Sequence, residues 1–329
     1  MRAFITGIAG FVGSHLAEYL MANTDWEIAG LTRWSDPLDN LAALMPWINT
    51  GQRVRLIEGD LNDPASLARA VKASRPDYVF HLAAQSYVPA SFISPAETLR
   101  TNIIGTSNLL EALRQEVPEA WVHICSSSEV YGRAQGTLAE DSPLHATSPY
   151  SVSKIGTDFL GRFYAEAYGL KTVTTRMFTH TGPRRGDVFA ESSFAKQIAM
   201  KEVGQLSGPI QVGNLNAVRT IADVRDAVRA YHMLLTVNPQ AGAVYNIGGT
   251  HTCTISQVLD ILFEVAGQRY EVEVDPERLR PIDADHQVPD CSAFMEHTGW
   301  KPEISFEQTM ADLLKYWREK VKHRRLLQR

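Results

Sequence analysis

The first twenty residues read MRAFITGIAGFVGSHLAEYL, and they constrain the fold more than any bulk property of the chain. Arg2 to Thr6 has the short apolar run of a buried β-strand. From Phe11 to Leu20, Val12, Leu16, Tyr19 and Leu20 recur at helical intervals. Gly7, Gly10 and Gly13 stand between the two patterns, spaced G-x-x-G-x-x-G. Glycines at such a junction let the backbone turn tightly and let a ligand approach without a β-carbon in the way. A helix start beyond them offers unpaired N–H groups and a partial positive charge, which suit a pyrophosphate. Strand, glycine turn and helix together predict a dinucleotide-binding unit, with Gly7, Gly10, Phe11, Val12 and Gly13 at the ligand.

The first half of the chain continues this alternation. Strands are expected at Trp26–Leu31, Val54–Ile57, Tyr78–Leu82 and Trp121–Cys125. Between them lie the amphipathic stretches Ser66–Ala73 and Ala96–Arg114. Alternation of this kind implies an α/β protein, a Rossmann-type doubly wound parallel sheet covered on both faces. After about residue 176 the texture changes, and Thr179–Asp187 and Arg280–Asp290 read as long loops. The helical stretch Val224–Leu235 followed by the strand Val244–Ile247 is expected to rejoin the main sheet. The expected division is therefore a dinucleotide-binding part, residues 1–176 with 223–250 returning to it, and a smaller C-terminal substrate-binding part, residues 177–222 and 251–329.

Composition narrows the function classes. The 329 residues are 44% hydrophobic, and no apolar run approaches the roughly 20 residues of a membrane helix. The chain enters a strand at once, so no signal peptide is expected. Cys125, Cys253 and Cys291 are odd in number and lack paired spacing, which points to a reducing, cytoplasmic setting. Net charge is −5, and the only basic run is the tail His323-Arg324-Arg325, so no nucleic-acid partner is expected. The scattered histidines form no metal motif. His251 and Cys253 alone do not make a site, and no metal is expected.

The second strand runs into Gly30-Leu31-Thr32-Arg33-Trp34-Ser35. A carboxylate at that point would bond the ribose hydroxyls of NAD, whereas a guanidinium matches the 2′-phosphate of NADP. Arg33 favours NADP; Asp36 or Asp39 could still do the acidic work and admit NAD. Asp60 and Leu61 follow the third strand and are placed to meet the adenine.

Two stretches carry candidate chemistry. In SPYSVSK, Ser148–Lys154, Tyr150 and Lys154 lie one helical turn apart on one face. An ammonium beside a phenol favours the phenolate and lowers its pKa, so Tyr150 could take a proton from a sugar hydroxyl. In HICSSSEVYG, His123–Gly132, the hydroxyls of Ser126, Ser127 and Ser128 adjoin the carboxylate of Glu129 at the carboxyl edge of the sheet. Arg184, Arg219 and Arg280 could clamp a diphosphate with their guanidinium forks.

These features resemble the extended short-chain dehydrogenase/reductase family, the sugar-nucleotide epimerases and dehydratases, over nearly the whole chain. The resemblance rests on TGIAGFVG, GDL at 59–61, HLAAQS at 81–86, Asn102–Thr106, SSSEVYG, SPYSVSK and VRTIADVRD at 218–226. AAQSYVPASF at 83–92, TGPRRGDVF at 181–189, GNL at 213–215 and Leu279–Asp285 are most similar to the GDP-mannose 4,6-dehydratase branch. That resemblance implies Ser127, Glu129, Tyr150 and Lys154 as the catalytic set. It implies Leu82, Ala83, Ala84, His180 and Arg185 at the cofactor, with Lys154 on the nicotinamide ribose. It also implies Ser86, Ser128, Thr179, Arg184, Val188, Arg219, Arg280 and Asp283 at a GDP-linked sugar. The stretch 218–226 is also similar to the GDP-4-keto-6-deoxymannose reductases, and other epimerases and decarboxylases share the fold.

The resemblance further implies a homodimer or homotetramer built on the helices at Ala96–Arg114 and Tyr150–Tyr168. Phe159, Leu160, Phe163 and Tyr164 are expected to form an exposed apolar strip there.

Overall fold

The computed structural model describes residues 1–282, 284 and 286–323. The expectation for Asp283, and the basic pair Arg324-Arg325, lie outside them. In chain order the elements of the first half are β1 (Arg2–Thr6), α1 (Phe11–Asn23), β2 (Glu27–Thr32), α2 (Met45–Thr50), β3 (Val54–Glu58), α3 (Pro64–Ser74) and β4 (Tyr78–His81). Then come α4 (Val88–Ile93), α5 (Pro95–Leu99), α6 (Gly105–Glu116), β5 (Trp121–Cys125), β6 (Thr137–Leu138), α7 (Pro149–Tyr168) and β7 (Lys171–Met177). The second half adds β8 (His180–Thr181), α8 (Ala190–Glu202), β9 (Ile210–Val212), β10 (Val218–Asp223), α9 (Val224–Thr236) and β11 (Val244–Ile247). It closes with β12 (His251–Thr254), α10 (Ile255–Ala266), β13 (Val272–Val274), β14 (His286–Pro289), α11 (Ser292–Thr298) and α12 (Phe306–His323).

Seven strands form one parallel sheet in the order β11-β7-β5-β4-β1-β2-β3. The chain reverses direction across the sheet between β1 and β4, and doubly wound folds bind ligands at such a switch point. The sheet is covered on both faces. Leu16, Ala17 and Leu20 of α1 join Val228, Tyr231 and Leu235 of α9 on one face. Leu67 and Val71 of α3 join Leu109 and Leu113 of α6 on the other. The return of Val244–Ile247 to the sheet follows from its pairing with β7.

A second core lies outside this sheet. Phe194 and Ile198 of α8, Leu259 and Leu262 of α10, and Met310, Leu314 and Trp317 of α12 form it against β9 and β10. Next to it β12, β10, β14 and β6 line up as a smaller sheet, with β8 also on β10.

Three local expectations are corrected. The loop expected over Arg280–Asp290 contains β14, and the one over Thr179–Asp187 contains β8. Both strands are short and owe their existence to the distant partners β10 and β6, so no local periodicity announces them. The single helix expected over Ala96–Arg114 is interrupted by a π turn at Arg100–Ile104. Such turns are rare inside α-helices and recur at functional sites. Here Asn102 is buried, and its amide donates to the Gln85 carbonyl and to Ser153 Oγ, both at 2.9 Å.

The exposed strip is also only half present. Phe159 and Phe163 are 53% and 52% exposed, but Tyr164 is buried and donates to Glu111 at 2.8 Å. Leu160 rests on the core beneath.

Candidate active site

A cleft of about 1440 Å³ opens along the carboxyl edge of the large sheet. Its floor is the turn after β1. Gly7 has a φ of +73°, and a β-carbon on Gly13 would lie 2.2 Å from the Gly7 carbonyl oxygen. Glycine at both positions lets α1 start directly against the strand. Gly10 precedes α1 with no side chain capping it, and the first turn holds no acidic residue. The positive end of the helix therefore faces the cleft unopposed. Thr6 Oγ1 accepts the amides of Leu82 and Ala83, each at 3.1 Å, which holds the Leu82-Ala83-Ala84 segment beside the turn.

At the end of β2, Arg33 lines the cleft with a side chain 61% exposed, paired to Asp36 at 2.8 Å. The guanidinium and the carboxylate thus share one corner. Asp60 and Leu61 line the adjoining wall, where Asn108 donates to the Leu61 carbonyl at 2.9 Å.

The chemistry-bearing wall is built by α7. Ser148 and Ser151 close a reciprocal capping box, Ser151 N–H to Ser148 Oγ at 3.0 Å and Ser148 N–H to Ser151 Oγ at 2.8 Å. Pro149 occupies the first turn, so Tyr150 emerges at a fixed angle and Lys154 follows on the same face. Both are buried. Lys154 Nζ lies 5.9 Å from the centroid of the Tyr150 ring, but it donates to the Cys125 carbonyl at 2.7 Å. Burial pushes the Tyr150 phenol up, against a hydrogen bond from Ser127 and the charge of Arg185, and pushes the Lys154 ammonium down. The expected lowering by Lys154 is thus corrected: desolvation dominates, and the opposing influences come from Ser127 and Arg185. Ser127 caps the short turn Ser128–Tyr131, its Oγ accepting the Glu129 amide at 3.2 Å. Glu129 faces Arg280 across the cleft at 3.3 Å.

The donor set at the head of α1 fits a dinucleotide. The ring of His180 stacks on that of Phe11 at 5.8 Å, and the Arg185 guanidinium lies 5.3 Å from the same ring. His180 Nε2 and Arg185 Nε, on two residues that line the cleft, are buried there without a hydrogen-bond partner. Buried donors left unpaired are costly, and a polar ligand at this point would satisfy them. Burial holds His180 neutral, its pKa down to about 3, so it can serve as a donor or an acceptor.

A profile of the GDP-mannose 4,6 dehydratase family matches residues 4–313. The chain belongs to that family. A GDP-6-deoxy-D-mannose reductase of Pseudomonas aeruginosa is 33% identical over 327 residues, covering 98% of both chains. GDP-mannose 4,6 dehydratase 1 of Arabidopsis thaliana is 33% identical over 316 residues, 93% of this chain and 86% of the plant protein. The solved structure of RMD from Pseudomonas aeruginosa complexed with NADPH has a TM-score of 0.82 at 30% identity. It covers 97% of this chain and 100% of that one.

Within this GDP-mannose 4,6 dehydratase family member, the cleft gathers residues that lie far apart in sequence. Ser86, Ser128, Thr179, Val188, Arg219 and Arg280 all line it together with the residues already placed. Arg184 does not. Its guanidinium turns away onto α1, reaching Glu18 at 2.6 Å and Ser14 Oγ at 3.3 Å. The diphosphate clamp expected of Arg184 is therefore corrected.

Two lining residues were not singled out from the sequence. Gln287 accepts from Ser128 Oγ at 2.6 Å, and its own amide nitrogen is buried without a partner. Arg278 reaches Ser193 Oγ at 3.1 Å beside Arg280. Gln287 falls in the stretch read as loop, where nothing local marks a buried polar side chain. Arg278 sits in an ordinary charged run and carries no signal of its own.

Proposed function

We propose that the chain dehydrates GDP-mannose to GDP-4-keto-6-deoxymannose with tightly held NADP. The observation that carries this reading is the carboxylate of Glu129 in the same cleft as Tyr150 and the Ser127 hydroxyl. Gly7, Gly10, Phe11, Val12, Gly13, Arg33, Asp60, Leu61, Leu82, Ala83, Ala84, His180 and Arg185 would hold the dinucleotide, with Tyr150 and Lys154 at its reactive end. When bound, NADP supplies a reversible hydride store, so the overall change is loss of one water. Asp36 or Asp39 would bond the ribose hydroxyls were NAD bound instead.

The protein's own part is proton management. Ionised as phenolate, which the Ser127 hydrogen bond and the Arg185 charge favour against burial, Tyr150 takes the proton of the C4 hydroxyl while Ser127 holds the C4 oxygen. The ketone so formed acidifies the C5 proton, which Glu129 removes. The electron pair left at C5 expels the C6 hydroxyl, and the proton carried by Glu129 completes the departing water. A solvent proton added at C5, balanced by loss of the proton on Tyr150, would complete the 4-keto-6-deoxy sugar once hydride from the bound dinucleotide reached C6. Arg219 and Arg280 suit the diphosphate as paired forks. Residues 177–222 and 251–329 form the substrate-binding part in this reading, and 1–176 with 223–250 the dinucleotide part.

A second reading is reduction of the 4-keto sugar, favoured by the end-to-end match to the Pseudomonas reductase. Incubation with a panel of nucleotide sugars, no added dinucleotide and a mass readout separates the two. Loss of one water from GDP-mannose alone supports dehydration. Turnover only of a 4-keto sugar, with stoichiometric NADPH, supports reduction.

Among the described residues no helix is long and apolar enough to cross a membrane. A cytoplasmic setting and assembly through the α5–α7 face complete the proposal.

A further inference from the structure

We infer that the Glu18–Arg184 ion pair is a positioning device that ties the loop 182–187 to α1 and thereby aims Arg185 into the cleft beside Tyr150. Arg184 holds a φ of +72°. A residue with a β-carbon disfavours this left-handed conformation and keeps it only where its surroundings over-determine it. Here three contacts do so, all to the same helix. Arg184 Nη2 meets Glu18 Oε1 at 2.6 Å and Nη1 meets Ser14 Oγ at 3.3 Å. One residue earlier, His15 Nε2 contacts the Pro183 carbonyl at 2.9 Å.

The consequence falls on the next residue. The Arg185 amide donates to the Gly182 carbonyl at 3.1 Å, and its own carbonyl accepts Ser192 Oγ at 2.6 Å. With its backbone so held, the guanidinium lies 3.6 Å over the Phe189 ring and 5.3 Å from Phe11 of α1. Its Nε is buried without a partner, in the cleft that Tyr150 lines. The charge of Arg185 opposes the burial that keeps the Tyr150 phenol protonated. Ser127, Cys125 and Glu129 face the same phenol, and Lys154 lies over its ring. Adjacent arginines thus divide the work: Arg184 anchors and Arg185 reaches. Through this anchor the loop is tied to the helix that follows the glycine turn, while Ser192 and Lys196 of α8 hold its other side, at Arg185 and Asp187.

The inference rests on Tyr150 as the proton-transfer group of the proposed reaction. It is tested on the dinucleotide-loaded protein with GDP-mannose. Glu18→Gln and Arg184→Gly both remove the pair, and the glycine keeps the left-handed turn. Each should lower kcat about ten-fold, with KM and melting temperature unchanged, since misplacement of a group near the chemistry costs that order or more. The exchange Glu18→Arg with Arg184→Glu should restore most of the rate. In an Arg185→Ala background, Glu18→Gln should cost nothing further, because residues acting through one another are not additive. Full additivity, unchanged kcat, or a kcat loss that tracks melting temperature would each overturn the inference.

A parent protein inactive on every nucleotide sugar would count against the proposed reaction instead. Deuterium uptake over 182–189 then decides the positioning role. Faster uptake in Glu18→Gln, with the rest of α1 unchanged, supports it. Equal uptake rejects it.

Discussion

Lys154 Nζ donates to the Cys125 carbonyl at 2.7 Å, bridging α7 to the end of β5 immediately before Ser126 and Ser127. The lysine therefore fixes the serine turn as well as standing beside the phenol. Removing it and removing the phenol should have different signatures. Tyr150→Phe should abolish turnover by the 10²–10⁴-fold typical of acid–base groups, with roughly unchanged dinucleotide affinity. Lys154→Met should lower turnover and also weaken the dinucleotide about ten-fold or more, the order of one hydrogen bond to a charged group. Dinucleotide titration of both variants checks this.

Glu129→Gln keeps shape and hydrogen bonding but removes the base. Water release should fall by about 10²–10⁴-fold, while dinucleotide binding is spared. In heavy water the parent should place solvent deuterium at C5. Water release at the parent rate by Glu129→Gln would leave the reductase reading in front.

Arg33 shares its corner of the cleft with Asp36. NADP should bind more tightly than NAD, and Arg33→Asp should narrow or reverse a preference of about ten-fold or more. The preference should shrink as salt is raised, because the guanidinium is exposed. Titration of both dinucleotides at two ionic strengths is the measurement; equal affinities in the parent would sink the claim.

Acid should destabilise the fold through histidines buried neutral. Burial takes His81, His123 and His180 down to about 3. Between the unfolded value of about 6.5 and that level the unfolded chain binds more protons, so stability falls as pH falls. Each histidine contributes up to about 1.4 kcal/mol per pH unit in that window. Urea unfolding of the parent and of His123→Gln between neutral pH and pH 4 should show a shallower decline in the variant. Parallel declines would refute the assignment.

Phe159 and Phe163 project half-exposed from α7, which also carries Val152, 46% exposed, and Ile104 in the adjoining π turn is 52% exposed. An apolar surface of this kind usually marks contact between copies. Light scattering at micromolar concentration should report a dimer or tetramer, and Phe159→Glu with Phe163→Glu should give monomers. A monomeric parent would refute the interface.

Much of this cleft is legible in sequence because its signals are local. The glycine spacing at 7, 10 and 13 and the four-residue separation of Tyr150 and Lys154 are short-range patterns tied to one turn each. What failed to show is set at long range. The direction of Arg184 depends on its backbone angle and on Glu18, 166 positions away. Tyr150 looked ready to ionise because the lysine is visible in sequence and the burial around the phenol is not. The amide of Gln287 finds its role only when β14 seats between β10 and β6.

The two walls of the cleft are backed by different hydrophobic cores, one under the large sheet and one among α8, α10 and α12. Tyr150 and Lys154 stand on α7, whose Leu160 and Tyr164 pack into the core beneath the large sheet, and Arg219 stands on β10, against the second. Packing changes behind one wall need not propagate to the other. A lineage built this way can exchange the sugar or base it accepts by repacking the outer core, while the proton-handling machinery is inherited intact.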